Sequence, residues 1–213
     1  MCRIAIGYFN IWSNLLIFDK NIKANFMISL KYSTNIEALL REQHLTPLDA
    51  GTPDSSVIEQ LDNAFLERLF GKEIITNKTS ARLCVAGLWL LHNHLEECHK
   101  IAQSIKTSDG SYWHAIMHRR EGDFLNSKYW FRRVSEHEIF PELLKKAKKV
   151  VTQGDPESQI NVLVTQSQWD PLTFVDLCEA AKHGKANAEF CQSIQQIEWK
   201  LLFDYCYKKT VST

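Results

Sequence analysis

An all-α fold, a single irregular bundle of about six to eight helices, is what the sequence predicts. Apolar residues recur at spacings of three and four through most of the chain, the period of a helix with one buried face. Period-two alternation is confined to a short stretch from Ile160 to Val164. Only 8 glycines and 5 prolines punctuate 213 residues, too few for the turns of a β-sandwich.

The elements follow in order. A short helix fits Asn35 to Gln43 with Thr34 as its cap, and Thr46 to Pro53 is a loop. Asp54 or Ser55 then caps a helix carrying Val57, Ile58, Leu61, Ala64, Phe65, Leu69 and Phe70 on its apolar side, closed by a left-handed Gly71. Ile74 and Ile75, in the connector after it, are expected to pack under the domain. Ser80 to Ile105 is one long helix, apolar nearly all round from Leu83 to Leu91 and therefore central. The run from Thr107 to Ser111 is a turn by composition. Tyr112 to Glu121 is a helix closed by Gly122, and Asp123 caps the next, which runs to His137. Pro141 suits a first helical turn before Glu142 to Val151. Asp170-Pro171 starts a helix that Gly184 stops, and the last helix spans about Asn187 to Tyr207.

Composition narrows the class. Hydrophobic residues make up 45% and charged residues 23%, the ordinary range for a globular protein able to bury its own core. Lys plus Arg and Asp plus Glu both number 25. This balance gives no support to a nucleic-acid partner, which needs a basic excess. Residues 1–33 lack amphipathic periodicity and are expected to be a poorly ordered leader, with Met27 an alternative start, ahead of a single domain over 34–213. The uncharged stretch from Ile4 to Phe18 is shorter than the roughly 20 apolar residues a membrane span needs. The six cysteines are scattered with no C-x-x-C pair, which points to reduced core thiols and a cytoplasmic location.

Ionisable residues gather between His92 and Arg133. His92, Glu96 and His99 stand at i, i+4 and i+7, one face of a continuous helix, and His114, His118 and Glu121 repeat that spacing. Two helices joined by a short turn are neighbours. The two triplets can then converge on one site, with His92, Glu96 and His99 as ligands of a divalent metal. His118 or His114 would be a general base oriented by Glu121. The alternative is a set of hydrogen-bonded core histidines. Arg119 and Arg132, with Asp123, Asn126 and Tyr129, form a second set suited to binding a small polar or anionic molecule, because guanidinium pairs bidentately with phosphate or carboxylate. Against it stands an inter-helix salt-bridge network drawing on Glu121, Asp123, Glu136 and Glu138. Trp113, Tyr129, Trp130 and Phe131 are expected to anchor the core. The basic run Lys145 to Lys149 is expected to be a solvated helix face.

The words GSYWHAIMHRREGDFLNSKYWFRRV, from Gly110 to Val134, resemble those of a family of uncharacterised all-helical proteins from bacteria and fungi. AGLWLLHNHLEECHKIAQSI before them, and WDPLTFVDLCEAA and QQIEWKLLFDYCY after them, are similar too. The resemblance covers about residues 83–207 and implies a shared helical core there. It brings no catalytic residue with it, because no activity is attached to the family.

The expected function is that of a helical protein with a His/Glu/Arg pocket for a small polar or anionic ligand, with a divalent metal as the cofactor that suits it. The contrasting expectation is an interaction module in which the same residues form a structural network. Neither a membrane nor a nucleic acid is among the expected partners, and the sequence is silent on oligomeric state.

Overall fold

The computed structural model describes residues 31–41, 45–62, 66–152 and 162–211. The expectation of a leader falls on residues outside these, apart from the last few before Thr34. Tyr32 is buried and belongs to the compact unit that runs onward from it.

The fold is all-α. Helices span Thr34–Leu40 (α1), Ile58–Asp62 (α2), Leu66–Phe70 (α3), Lys78–Leu91 (α4), Leu95–Ser104 (α5), Ser108–Glu121 (α6), Phe124–Val134 (α7), Phe140–Thr152 (α8), Val162–Thr165 (α9), Pro171–Lys182 (α10) and Ala188–Thr210 (α11). Among the described residues the only β feature is an isolated antiparallel bridge between Ile75 and Val211. No helix among them is long and apolar enough to cross a membrane.

Capping chemistry sets most boundaries. Asp170 accepts from the amides of Leu172 and Thr173 at 2.9 and 3.3 Å, ahead of Pro171. Asp123 accepts from the Asn126 amide and Asn187 from that of Phe190. Each side chain satisfies an amide that the first helical turn leaves without a partner. Gly71, Gly122 and Gly184 close α3, α6 and α10 with φ of 63°, 89° and 70°, in the left-handed region. Asn77, the acceptor residue of an Asn-Lys-Thr sequon, instead caps α4 through the Ser80 amide.

Several boundaries differ from the sequence reading. Ser33, not Thr34, caps α1. The segment after Asp54 is a short 3-10 turn, Ser55–Val57, followed by α2 and α3 rather than one helix. Thr107 caps α6, so Asp109 and Gly110 lie in its first turn instead of in a loop. α7 stops at Val134, where Ser135 turns to φ 60°. Of the alternating stretch from Ile160, the described part from Val162 lies in the single turn α9, and Ile74 is exposed rather than packed.

The largest difference is that residues 80–105 form two helices. α4 ends at Leu91, Asn93 adopts φ 66°, and α5 starts at Leu95. Asn tolerates this left-handed geometry better than most residues. Its side chain is held from both sides: Nδ2 donates to Thr52 O at 2.8 Å, and Oδ1 accepts from Arg120 at 2.5 Å.

α11 packs along α4 and α8 and also touches α10, while α6 packs on α4, α5 and α7. The core between them holds Trp113, Trp199, Tyr112, Phe131, Phe174 and Phe203, all essentially inaccessible. Trp199 donates its indole N–H to Gly87 O at 2.8 Å, so its polar edge is satisfied where the ring is buried. The five described cysteines are buried and unpaired by disulfides. On α8, Leu143, Leu144, Ala147 and Val150 are buried, while Lys145 and Lys149 face solvent.

Candidate metal centre

α5 carries His99, and α6 carries His114 and His118. The two helices meet across a connection of three residues. Gly110 makes this return possible: a Cβ there would lie 2.2 Å from the Ile105 carbonyl oxygen. His114 and His118, four residues apart, share the face that α6 turns toward α5.

One ring nitrogen from each of His99, His114 and His118 lies within 4.8 Å of the other two. The His114 and His118 rings stack with centroids 4.7 Å apart, and His99 sits 4.7 Å from the first and 5.4 Å from the second. Trp130, on α7, covers His114 with a stacking distance of 4.0 Å. His114 is 2% exposed, and neither of its ring nitrogens has a hydrogen-bond partner. Leaving buried polar atoms unpaired costs about 1–3 kcal/mol each, and such atoms are rare in folded proteins.

Electrostatics disfavour charge on the two imidazoles of α6. Burial, then the neighbouring His118, His99 and Lys106, push the His114 pKa down to about 3. Burial also lowers that of His118, against an opposing pull from Glu121. His118 Nδ1 lies 3.1 Å from Glu121 Oε2. With Nδ1–H donated to the carboxylate, Nε2 of His118 keeps its lone pair. A carboxylate behind an imidazole in this way fixes the tautomer and raises ligand basicity. Glu121 is 57% exposed and His99 half-buried, so solvent reaches this edge of the cluster.

The other residues selected from sequence do not join this group. The break at Asn93 removes the common face of His92, Glu96 and His99. His92 becomes the C-cap of α4, with Nε2 3.0 Å from Leu39 O and Nδ1 3.4 Å from an Asp54 oxygen. Glu96 is exposed beside Lys100. Arg119 is no anion site, for it is fully buried on another face of α6. It donates to Glu198 at 2.5 Å, and its guanidinium carbon lies 4.7 Å from the centre of the Phe174 ring. It does form an inter-helix salt bridge, but with Glu198 on α11 rather than with Glu121, Asp123, Glu136 or Glu138, and Glu198 is equally buried and also accepts from Tyr112 at 3.1 Å.

Arg132 is exposed on α7. Asp123 and Asn126 bond to each other at the start of that helix. Tyr129 is 49% exposed rather than a core anchor, and its hydroxyl accepts from Arg133 at 3.3 Å. A cavity of about 480 Å³ opens elsewhere, lined by Leu39, Arg41, Thr46, Asp54, Val57 and His92 among others.

Two roles escaped the sequence. Glu198 is fully buried on α11, between Ile194 and Leu202 on its inward face. Arg120 is buried and donates to the carbonyls of Leu90, Asp49 and Ala50, tying α6 to the end of α4. Burial pushes its pKa down to about 10.

The arrangement suits a transition metal: three imidazoles, one of them with no hydrogen bond at either ring nitrogen, and a carboxylate behind a second. No protein-family model, curated protein or solved structure matches the chain.

Proposed function

We propose that this protein binds one divalent transition metal through His99, His114 and His118, and that the fourth coordination position takes a small polar or anionic ligand. The observation that carries the reading is His114, buried with both ring nitrogens unpaired in the middle of the cluster. A metal bond to one of them supplies the missing partner. Zinc fits best, because it accepts imidazole in tetrahedral sites at about 2.0–2.1 Å. Bonds of that length set ligand nitrogens about 3.4 Å apart. The nitrogens lie within 4.8 Å of one another, so modest side-chain rotation, easiest at half-buried His99, closes the set.

The second reading, a helical interaction module, draws its support from Arg119. The residue best suited to holding an anion serves the core instead.

Metal analysis of the purified chain separates the two. The expected outcome is about one zinc per chain, lost in His114→Ala and His118→Ala. Zinc added to chelator-stripped protein should raise its melting temperature, since a ligand specific for the folded state stabilises it by about 2.7 kcal/mol at a hundred times its Kd. Stripped protein whose melting temperature ignores zinc, cobalt and iron would favour the interaction module.

A further inference from the structure

Resting on the metal-binding reading above, we infer that a metal held by His99, His114 and His118 carries hydroxide near neutral pH and hydrolyses small uncharged carboxylic esters.

The donor set is the first support. Three neutral imidazoles leave the full charge of a divalent ion uncompensated. Under such ligation the pKa of zinc-bound water drops to about 7. Thiolate or carboxylate ligands would offset that charge, and the group contains neither.

Ligand number is the second. Among the described residues the cluster comprises three ligating side chains, not the four of a closed structural zinc site. Glu121, the nearest carboxylate, is bonded to His118 Nδ1 and stands behind the ligand rather than beside the ion. The remaining position falls to water.

The surroundings choose the substrate. Half-buried Trp130, stacked on the buried His114 ring, makes one side aromatic, while half-buried His99 and exposed Glu121 leave another side open to solvent. The charges acting on the cluster are mixed, with Lys106 opposed by Glu121 and Asp123, so no cationic excess exists to hold a phosphate. A single metal polarises one oxygen, which matches a carbonyl. In-line phosphoryl displacement is commonly clamped by two metals.

The reaction balances as ester plus water giving acid plus alcohol. The metal-bound hydroxide oxygen attacks the acyl carbon, forming a C–O bond as the carbonyl electron pair moves to oxygen. Collapse of the tetrahedral species breaks the acyl–alkoxy bond. The leaving oxygen departs with that pair and takes up a proton from the adduct or from solvent. A new water binds the metal and releases a proton to bulk solvent, restoring hydroxide. Glu121 is a positioning residue throughout, acting through His118.

The test uses the zinc-loaded full chain with p-nitrophenyl acetate from pH 5.5 to 9. Hydrolysis should exceed that of the same concentration of free zinc and rise with pH about a midpoint near 7. It should be lost on chelation and return with added zinc. The visible absorption of the cobalt-loaded protein should change about a corresponding midpoint, reporting bound water independently of turnover. Glu121→Gln, assayed at saturating zinc, should move the midpoint down. The variant removes a negative charge near the ion and lowers the basicity of His118, and both make bound water more acidic. An unchanged midpoint in that variant would place the hydrolysis away from this site and overturn the inference. So would a stoichiometric zinc protein with no hydrolysis above free zinc and a pH-independent cobalt spectrum, which leaves the metal-binding reading standing. A chain that binds no metal overturns both.

Discussion

His114 is neutral and buried, and its protonation opposes folding. Its pKa in the folded chain is about 3, against an ordinary 6.5. A base with a depressed folded pKa favours the unfolded state as it charges, so stability is full above about pH 6.5 and falls as the pH drops toward 3. The slope approaches about 1.4 kcal/mol per pH unit for one histidine. In metal-free protein, urea denaturation at pH 7, 6 and 5 should show this loss, and His114→Leu should flatten the profile. Parallel profiles for the two proteins would mean that the ring is not held neutral by burial. The placing of His114 and His118 on one face was legible, because i, i+4 spacing fixes a shared direction within one helix. The burial of Arg119 was not. It depends on Glu198, 79 residues away, and nothing local to Arg119 distinguishes it from a surface arginine.

The break between α4 and α5 centres on Asn93, which takes the positive φ there. His92, Asn93 and His94 include no glycine or proline, which is why periodicity alone continued one helix from Ser80 to Ile105 and put His92 and Glu96 beside His99. The information resides in a left-handed Asn and in Arg120, a residue of another helix that grips both Asn93 Oδ1 and Leu90 O. Asn93→Ala removes two hydrogen bonds and places a Cβ residue without local compensation at φ 66°. The expected cost is about 2–3 kcal/mol in chemical denaturation, from backbone strain and an unpaired buried donor. Asn93→Gly, free of the strain, should lose less. Equal losses would show that side-chain bonding alone sets the break. The starts of α7, α10 and α11 were legible because Asp123, Asp170 and Asn187 act within three residues of themselves.

At the level of the molecule, all-helical architecture was written in periodicity, while the polar interior was not. Arg119 and Glu198 are both wholly inaccessible, and Tyr112 and Phe174 close round them. Removing one member strands the other charge. Glu198→Leu is therefore expected to cost about 3–5 kcal/mol, and the double change Arg119→Met with Glu198→Leu should recover most of it. A double-mutant cycle by urea denaturation reads the coupling directly. Additive losses would mean that the two charges act independently. An inter-helix ion pair was among the readings of Arg119, but its carboxylate was sought among Glu121, Asp123, Glu136 and Glu138, near in sequence, whereas the partner is the distant and buried Glu198.

α11 supplies Glu198, Trp199 and Phe203 to the interior, and its Tyr207 hydroxyl accepts from the Ser33 amide at the start of the domain. In chain order it follows every element it packs against. While a ribosome is still making it, Arg119 has no counter-ion, the apolar surfaces of α4 and α8 have no cover, and Ser33 has no tyrosine to bond. At about 5–20 residues per second, the 23 residues of α11 occupy roughly one to five seconds of translation. For those seconds the nascent segment before α11 carries an uncovered apolar surface, and closure of this core waits for α11 to leave the exit tunnel.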